Sequence, residues 1–254
     1  MVGSSSSSFF LLLSFFFFFN VFFFLCCLLA LGERGIFRKA GSESRTQALR
    51  DSLSKTSNRV DFAPYKSHDV SSLVKRYLRE LPEPLLTFQL HELFLVSQKF
   101  PEPEVQCEVI HLAVLLLPKC NRDLLEVLST FFRKLADNAG GPVDQEEGNL
   151  MTSRNLATVF APTVLYPEKD REKQKEVIAG PVRRASIPLL INRSGSQNNL
   201  KQMAENEFEN DRAVGVLCSL IDNAYAFSKV PSLIVTQLSK PQLSKPQQFG
   251  ASSK

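Results

Sequence analysis

The chain has 254 residues, of which 44% are hydrophobic and 22% charged, a length that suits one sizeable domain with tails and excludes a large multidomain assembly. The formal net charge of +4 is mild, so nucleic-acid binding, which requires a clustered basic surface, is not predicted. Five cysteines without regular spacing indicate neither a disulfide framework nor a zinc site, and a reducing, cytoplasmic compartment fits them best. The common metal, phosphate-loop and nucleophile motifs are missing from the sequence, so we expect no metal and no cofactor of the protein's own.

Residues 1–32 differ in composition from the rest of the chain. Ten of the 21 phenylalanines lie within the first 24 positions, and the first charged residue is Glu33. Residues 9–31 are long and apolar enough to cross a membrane as a helix, and the basic residues after them would place the remaining chain in the cytosol. Alternatively, the segment is a gene-model artefact, because pyrimidine-rich codons for Ser, Phe and Leu also arise from a tract before a splice acceptor. Another processed signal is the third explanation, and the sequence leaves all three open.

From residue 33 onward, apolar residues recur with the period of a helix and show no strand-like alternation. A first helix is predicted after Ser42, which is a suitable N-cap. The clearest amphipathic helix covers residues 70–81, and Pro82 and Pro84 end it, because proline has no amide hydrogen and restricts the residue before it.

Three further helices follow. Residues 105–117 are apolar on nearly all sides, which predicts a helix buried in the centre of a bundle. Asn121 is predicted to cap the next helix. Thr152 or Ser153 begins another, which Pro162 is expected to stop.

The C-terminal part alternates between polar and amphipathic segments. Residues 168–204 are polar and without period, so they are predicted to form a surface insertion, in which Ser186 follows two arginines and resembles a basophilic kinase site. Residues 213–224 form a last amphipathic helix. Residues 231–254 contain a short tandem repeat and are predicted to be disordered. Together the pattern predicts one all-α domain between roughly residues 32 and 228.

Basic residues in loops and on helix edges are the candidates for function. Arg38 and Lys39 lie in a short segment bracketed by glycines, which allow a backbone that holds a side chain toward a partner. Lys75 and Arg79 are four residues apart and therefore share one helix face. Such a pair is a docking surface for an acidic or phosphate-bearing partner or, alternatively, a set of solvated helix charges.

Three blocks of this sequence resemble the signature blocks of the Rho GTPase-activating (RhoGAP) domain family. They are GIFRKAGS at residues 35–42, KRYLRELPEPL at residues 75–85 and NLATVFAP at residues 155–162, in the family's order and at similar spacing. The resemblance covers about residues 33–230 and implies a single all-α bundle of the RhoGAP type. The Phe-rich residues 1–32 stand where the family's usual first helix lies, so we expect the domain to lack that helix.

The resemblance implies that the chain is a GTPase activator rather than an enzyme with its own substrate. The partner is then a GTP-bound Rho-family small GTPase, and the GTP and Mg²⁺ belong to that partner. Arg38 matches the arginine finger, which is inserted in trans; Lys75 is expected to help bind the GTPase, and Arg79 to support the finger loop and the interface. Asn155 is expected to be structural, with a partner contact as the alternative. Thr163 stands where many relatives have asparagine, so we expect a partner contact there with reduced efficiency.

Two other functions remain as alternatives. One is a catalytically impaired RhoGAP-like module that binds GTPases or other signalling partners as an adaptor. The other is a membrane-associated adaptor anchored through residues 9–31. The first is distinguished from an activator by binding without acceleration of GTP hydrolysis, and the second by retention on membranes after a high-salt wash.

Overall fold

The computed structural model describes residues 30–55, 61–140, 148–172, 197–227 and 229. Over these residues the chain is all-helical and contains no strand, which confirms the predicted fold class. The α-helices of the described chain are α1 (Glu43–Lys55), α2 (Ser67–Glu80), α3 (His91–Ser97), α4 (Pro103–Leu116), α5 (Lys119–Asp137), α6 (Ser153–Val164) and α7 (Gln197–Asp222). Short 3₁₀ turns lie at Ala30–Gly32 and Glu168–Asp170.

Helix α2 forms as its sequence predicts. Its buried side includes Val70, Leu73, Val74 and Leu78, whose spacing of three to four residues places them on one face. The helix ends at Glu80, just before the proline-containing turn that follows. Burial of this face fixes the rotation of α2, so the positions between the apolar residues, including the two candidate basic residues, are fixed as well.

The core is organised around α6 and α7, which pack closely against each other. Helix α7 also contacts α3, α4 and α5, whereas α2 joins α1 to α6. Phenylalanine rings from α5 and α6 fill the space between these elements. Aromatic side chains of this size contribute much of the apolar area that a core buries.

The prediction that residues 105–117 form a central helix is wrong. Helix α4 buries one face, with Ile110 and Ala113 at 0% exposure, whereas Leu112 is 39% and Leu116 is 64% exposed. The helix therefore lies at the edge of the bundle. The many apolar residues of this segment show that it is hydrophobic, but burial depends on how many neighbours the fold provides.

Three boundaries also differ from the predictions. Asn121 is not a cap, because α5 begins at Lys119; its Nδ2 atom instead donates to Leu85 O at 2.8 Å. Pro162 lies inside α6, which continues to Val164, so this proline does not stop the helix at once. Helix α7 begins at Gln197, so the end of the predicted insertion is helical.

Several predictions concern residues outside the described ranges. They are the anchor, artefact or signal in residues 1–32, of which only residues 30–32 are described, the absence of the family's first helix, the kinase site at Ser186 and the disorder of residues 231–254. The domain boundaries likewise stay predictions. Among the helices that the structure describes, none has the length and apolarity needed to cross a membrane.

Candidate functional site

Arg38 lies on a tight loop between the turn at Ala30–Gly32 and helix α1, and we call residues 33–41 the finger loop. The amides of Arg38 and Lys39 both donate to Gly35 O, at 3.0 and 2.9 Å. Gly35 has φ = 72°, a conformation that glycine adopts without penalty. Phe37 also has a positive φ, 65°, which costs about 1–2 kcal/mol for a residue with a side chain. Tertiary contacts must therefore hold Phe37 in place.

Those contacts come from the aromatic core. The Phe37 side chain is 1% exposed, and its ring meets Phe131, Phe132 and Phe160 edge-on, with centroids 6.1, 5.7 and 5.0 Å apart. This arrangement is a favourable one for aromatic pairs. Arg38, the next residue, is exposed and makes no side-chain hydrogen bond or ion pair with any residue that the structure describes. The loop thus combines a deeply buried anchor with an adjacent exposed guanidinium.

Helix α2 supports the same loop through Lys75. Its Nζ atom donates to Phe37 O at 2.7 Å, the carbonyl of the peptide that leads into Arg38. Burial, together with the nearby Arg79 cation, lowers the pKa of Lys75 to about 8. Arg79 is half-buried, and burial lowers its pKa too, but within the described chain it makes no hydrogen bond to the finger loop. The expected roles of Lys75 and Arg79 stay predictions. Of these two residues, it is Lys75 that binds the finger loop in this structure.

The lowered pKa of Lys75 predicts that stability depends on pH. Its ordinary pKa is 10.5, so between pH 8 and 10.5 the unfolded chain binds more protons than the folded chain, and stability rises with pH. From pH 7 to pH 9.5 this contributes roughly 2 kcal/mol. Urea denaturation should show the unfolding free energy of the wild type rising by this amount relative to Lys75→Met. If the difference in unfolding free energy between the wild type and Lys75→Met does not change with pH, the lowered pKa of Lys75 is contradicted.

The far end of the finger loop is fixed by Asp69, whose side chain is fully buried. Its carboxylate accepts from the Ser42 amide at 2.7 Å and from Arg45 Nε at 2.6 Å, as well as from the Lys66 amide at 3.0 Å. Burial favours a raised pKa, but these hydrogen bonds outweigh it and hold the pKa of Asp69 below its usual value. The loop end, the start of α2 and helix α1 therefore share one charged anchor.

Gly41 is required for the close approach of the loop to α2. A Cβ atom at this position would lie 2.5 Å from Asp69 Cα, a backbone atom that cannot rotate away. We expect Gly41→Ala to lower the free energy of unfolding by about 1–3 kcal/mol and to reduce function by displacing the loop. Thermal and urea unfolding measure the effect. Gly32→Ala is the matched control, because a Cβ there meets nothing within 4 Å; equal losses in both variants would contradict the prediction.

The start of the finger loop is held by Asn149, a residue that the sequence patterns did not single out. The Gly35 amide donates to Asn149 O at 2.8 Å, and Asn149 Nδ2 donates to Leu31 O at 2.7 Å. Asn149 lies in the segment between α5 and α6, far from the loop in sequence. Asp69 was missed as well, although an acidic residue in the first turn of a helix is a recognisable capping signal.

The two candidate residues on α6 occupy different environments. Asn155 is exposed in the first turn, where its Nδ2 atom donates to Leu150 O at 2.9 Å and its amide donates to Thr152 Oγ1 at 3.2 Å. Thr163 lies near the end of the helix and is only 6% exposed. Within the described residues neither makes a hydrogen bond to the finger loop. Their expected contacts with a partner stay predictions.

The part of the sequence that forms this site matches a known protein family. The model of the RhoGAP domain matches residues 19–169, more than half of the chain. The chain belongs to the RhoGAP domain family. The predicted membership is thereby confirmed, and the family match begins inside the Phe-rich segment.

Among its RhoGAP relatives is Rho-type GTPase-activating protein 1 of Schizosaccharomyces pombe, 37% identical over 145 residues, which cover 57% of this chain and 12% of that protein. Rho GTPase-activating protein 6 of Mus musculus is 37% identical over 147 residues, which cover 56% of this chain and 15% of that protein. The chain thus spans less than a fifth of the length of either relative.

Solved structures share this RhoGAP fold. The BH domain from Graf, the GTPase regulator associated with focal adhesion kinase, superimposes with a TM-score of 0.63 at 27% identity, covering 86% of this chain and 97% of that one. Human Rho GTPase activating protein 15 superimposes with a TM-score of 0.59 at 21% identity, covering 84% of this chain and 83% of that one.

Proposed function

We propose that this RhoGAP domain stimulates GTP hydrolysis by a Rho-family small GTPase and presents Arg38 to the partner's nucleotide in trans. The observation that carries the proposal is the exposed Arg38 guanidinium, unpartnered within the described chain, directly after a Phe37 side chain that is buried in the core. Family membership and the activator names of the relatives support the same function. The chain itself needs no cofactor for this role; the GTP and Mg²⁺ are bound by the GTPase.

The chemistry explains why an arginine suits this position. Transfer of the γ-phosphoryl group to water spreads negative charge over phosphate oxygens, and a small GTPase stabilises that charge incompletely by itself. A guanidinium is planar and permanently charged, and it donates hydrogen bonds to two oxygens at once. Arg38 is the residue that we assign to this task. It acts on a substrate bound to another protein, so the chain is an activator rather than an enzyme with its own substrate.

Rigidity of the finger loop is the second requirement. A displacement of about 1 Å can lower the rate by two orders of magnitude, because the catalytic group must already be held in the correct position and orientation when the reaction occurs. Arg38 follows a carbonyl held by Lys75, and the loop is tied to α2 by Asp69. These contacts support a role for the loop in catalysis rather than in docking alone. Lys75 also places positive charge beside the loop, and Arg79 adds a second charge near Lys75; both favour an acidic, phosphate-bearing partner.

The experiment is a single-turnover assay on a panel of GTP-loaded Rho-family GTPases, with a pull-down on the same preparations loaded with GDP or a non-hydrolysable GTP analogue. The proposal predicts preferential binding of the GTP-like form and accelerated hydrolysis for at least one member. Binding without acceleration would contradict the proposal and identify an adaptor module. A panel of Ras-class GTPases is the matched control for the partner class.

A further inference from the structure

We propose that Asn149 is a positioning residue for the arginine finger, because it fixes the start of the finger loop to the end of helix α5. The inference rests on the proposed function of Arg38 and adds a residue to it. Asn149 is 0% exposed and lies outside the sequence blocks that pointed to the site. Its effect on the reaction is therefore indirect, through the position of the loop.

The side-chain amide of Asn149 both donates and accepts hydrogen bonds. Nδ2 donates to Leu31 O at 2.7 Å and to Leu135 O, in the last turn of α5, at 2.8 Å. Oδ1 accepts from the Met151 amide at 2.7 Å. An aspartate has no donors for the two carbonyls, and leucine has neither donor nor acceptor, so asparagine is the side chain of this size that satisfies the site.

The backbone of Asn149 makes the second half of the connection. Its amide donates to Asn138 O at 3.0 Å, and its carbonyl accepts from the Gly35 amide at 2.8 Å. The segment also lies directly against the end of α5, because a Cβ on Gly148 would be 2.4 Å from Ala139 O. Asn149 is thus held by α5 on one side and holds the finger loop on the other.

A short path of hydrogen bonds then links α5 to Arg38. Asn149 O binds the Gly35 amide, and Gly35 O binds the Arg38 amide at 3.0 Å. Phe37 and Lys75 hold the loop through separate contacts, the Phe37 ring against Phe160 of α6 and the Lys75 amine on Phe37 O. Loss of the Asn149 side chain should therefore leave the loop folded but loosen its start, which shifts the guanidinium without removing it.

The test compares Asn149→Ala with Asn138→Ala and Arg38→Ala in single-turnover GTP hydrolysis. We expect Asn149→Ala to lower the stimulated rate at saturation at least tenfold while the dissociation constant for the GTP-bound GTPase changes less than threefold. Asn138 is the matched control, because it lies at the same helix end but its side chain bonds locally, to Lys134 O at 2.8 Å. A folded Asn149→Ala variant with the wild-type rate, or with equal losses of rate and affinity, would overturn the inference.

Hydrogen exchange provides a second test, and its measurement on the wild type does not depend on the folding of a variant. In the wild type the Gly35 amide should exchange as slowly as the Met151 amide, and in Asn149→Ala it should exchange at least tenfold faster. An unprotected Gly35 amide in the wild type would also overturn the inference. If Arg38→Ala stimulates GTP hydrolysis at the wild-type rate, both the proposed function and the inference are wrong. If Arg38→Ala loses the stimulated rate and Asn149→Ala keeps it, only the inference is wrong.

Discussion

Replacement of Arg38 by alanine should lower the GTP hydrolysis stimulated by this chain by about 10³-fold or more. In the proposed mechanism the guanidinium stabilises charge that develops on the phosphate oxygens only in the transition state, so its loss should lower the rate and spare ground-state binding. The side chain is exposed and makes no hydrogen bond or ion pair with the described residues, so its removal should leave the fold intact. Single-turnover hydrolysis at saturating activator measures the rate, and a binding titration with a non-hydrolysable GTP analogue measures affinity.

Two controls sharpen this expectation. Arg38→Lys keeps the positive charge but loses the planar two-donor fork, so it should recover only a small part of the rate. Arg34→Ala removes an exposed charge from the same loop and should change the rate by only a few-fold. Stimulation by Arg38→Ala at the wild-type level, or equal losses in Arg34→Ala and Arg38→Ala, would show that no arginine finger operates at this position.

Phe37→Ala should remove both stability and activity. Truncation of a fully buried phenylalanine typically costs about 3–5 kcal/mol, because apolar contacts are lost and a cavity remains. At Phe37 the ring also holds a backbone with φ = 65°, so the finger loop loses the packing that maintains its conformation. We expect the free energy of unfolding in urea to fall by this amount and the stimulated rate to fall with it.

The variant Phe94→Ala distinguishes the loss of stability from the loss of the stimulated rate. Phe94 is also fully buried, but it lies on α3, which packs against α4 and α7, whereas the rings that meet Phe37 lie on α5 and α6. This variant should lose a similar amount of stability and, at a temperature where it remains folded, keep its stimulated rate. A folded Phe37→Ala variant with normal stimulation would contradict the role of the aromatic anchor.

Local sequence predicted those parts of the fold in which burial follows from residue spacing. The apolar residues of α2 show a clear helical period, and their burial matches it. Helix α4 was placed wrongly because its apolar residues continue around the helix, and spacing then gives no information about which face has neighbours. Helix α7 extends back to Gln197 although its first turns are polar, and it packs on α6, a contact that the spacing of its first residues does not predict.

The candidate site likewise contains residues that local sequence predicts and residues that it does not. Arg38, Lys75 and Arg79 were found from short blocks, because the residues of each block are neighbours in sequence. Asn149 was missed because its partner Leu31 is 118 residues away in sequence, a distance over which no periodic pattern operates. Even the contact between Lys75 and Phe37 O, 38 residues apart, requires the folded chain to bring the two together.

The affinity of the chain for a Rho-family GTPase loaded with GDP and aluminium fluoride, a mimic of the transferring phosphoryl group, tests the proposed role of Arg38 most directly. The wild type should bind this form at least tenfold more tightly than the GDP form, and Arg38→Ala should lose that difference. Equal affinity of the wild type for both forms, or an undiminished difference in Arg38→Ala, would contradict it.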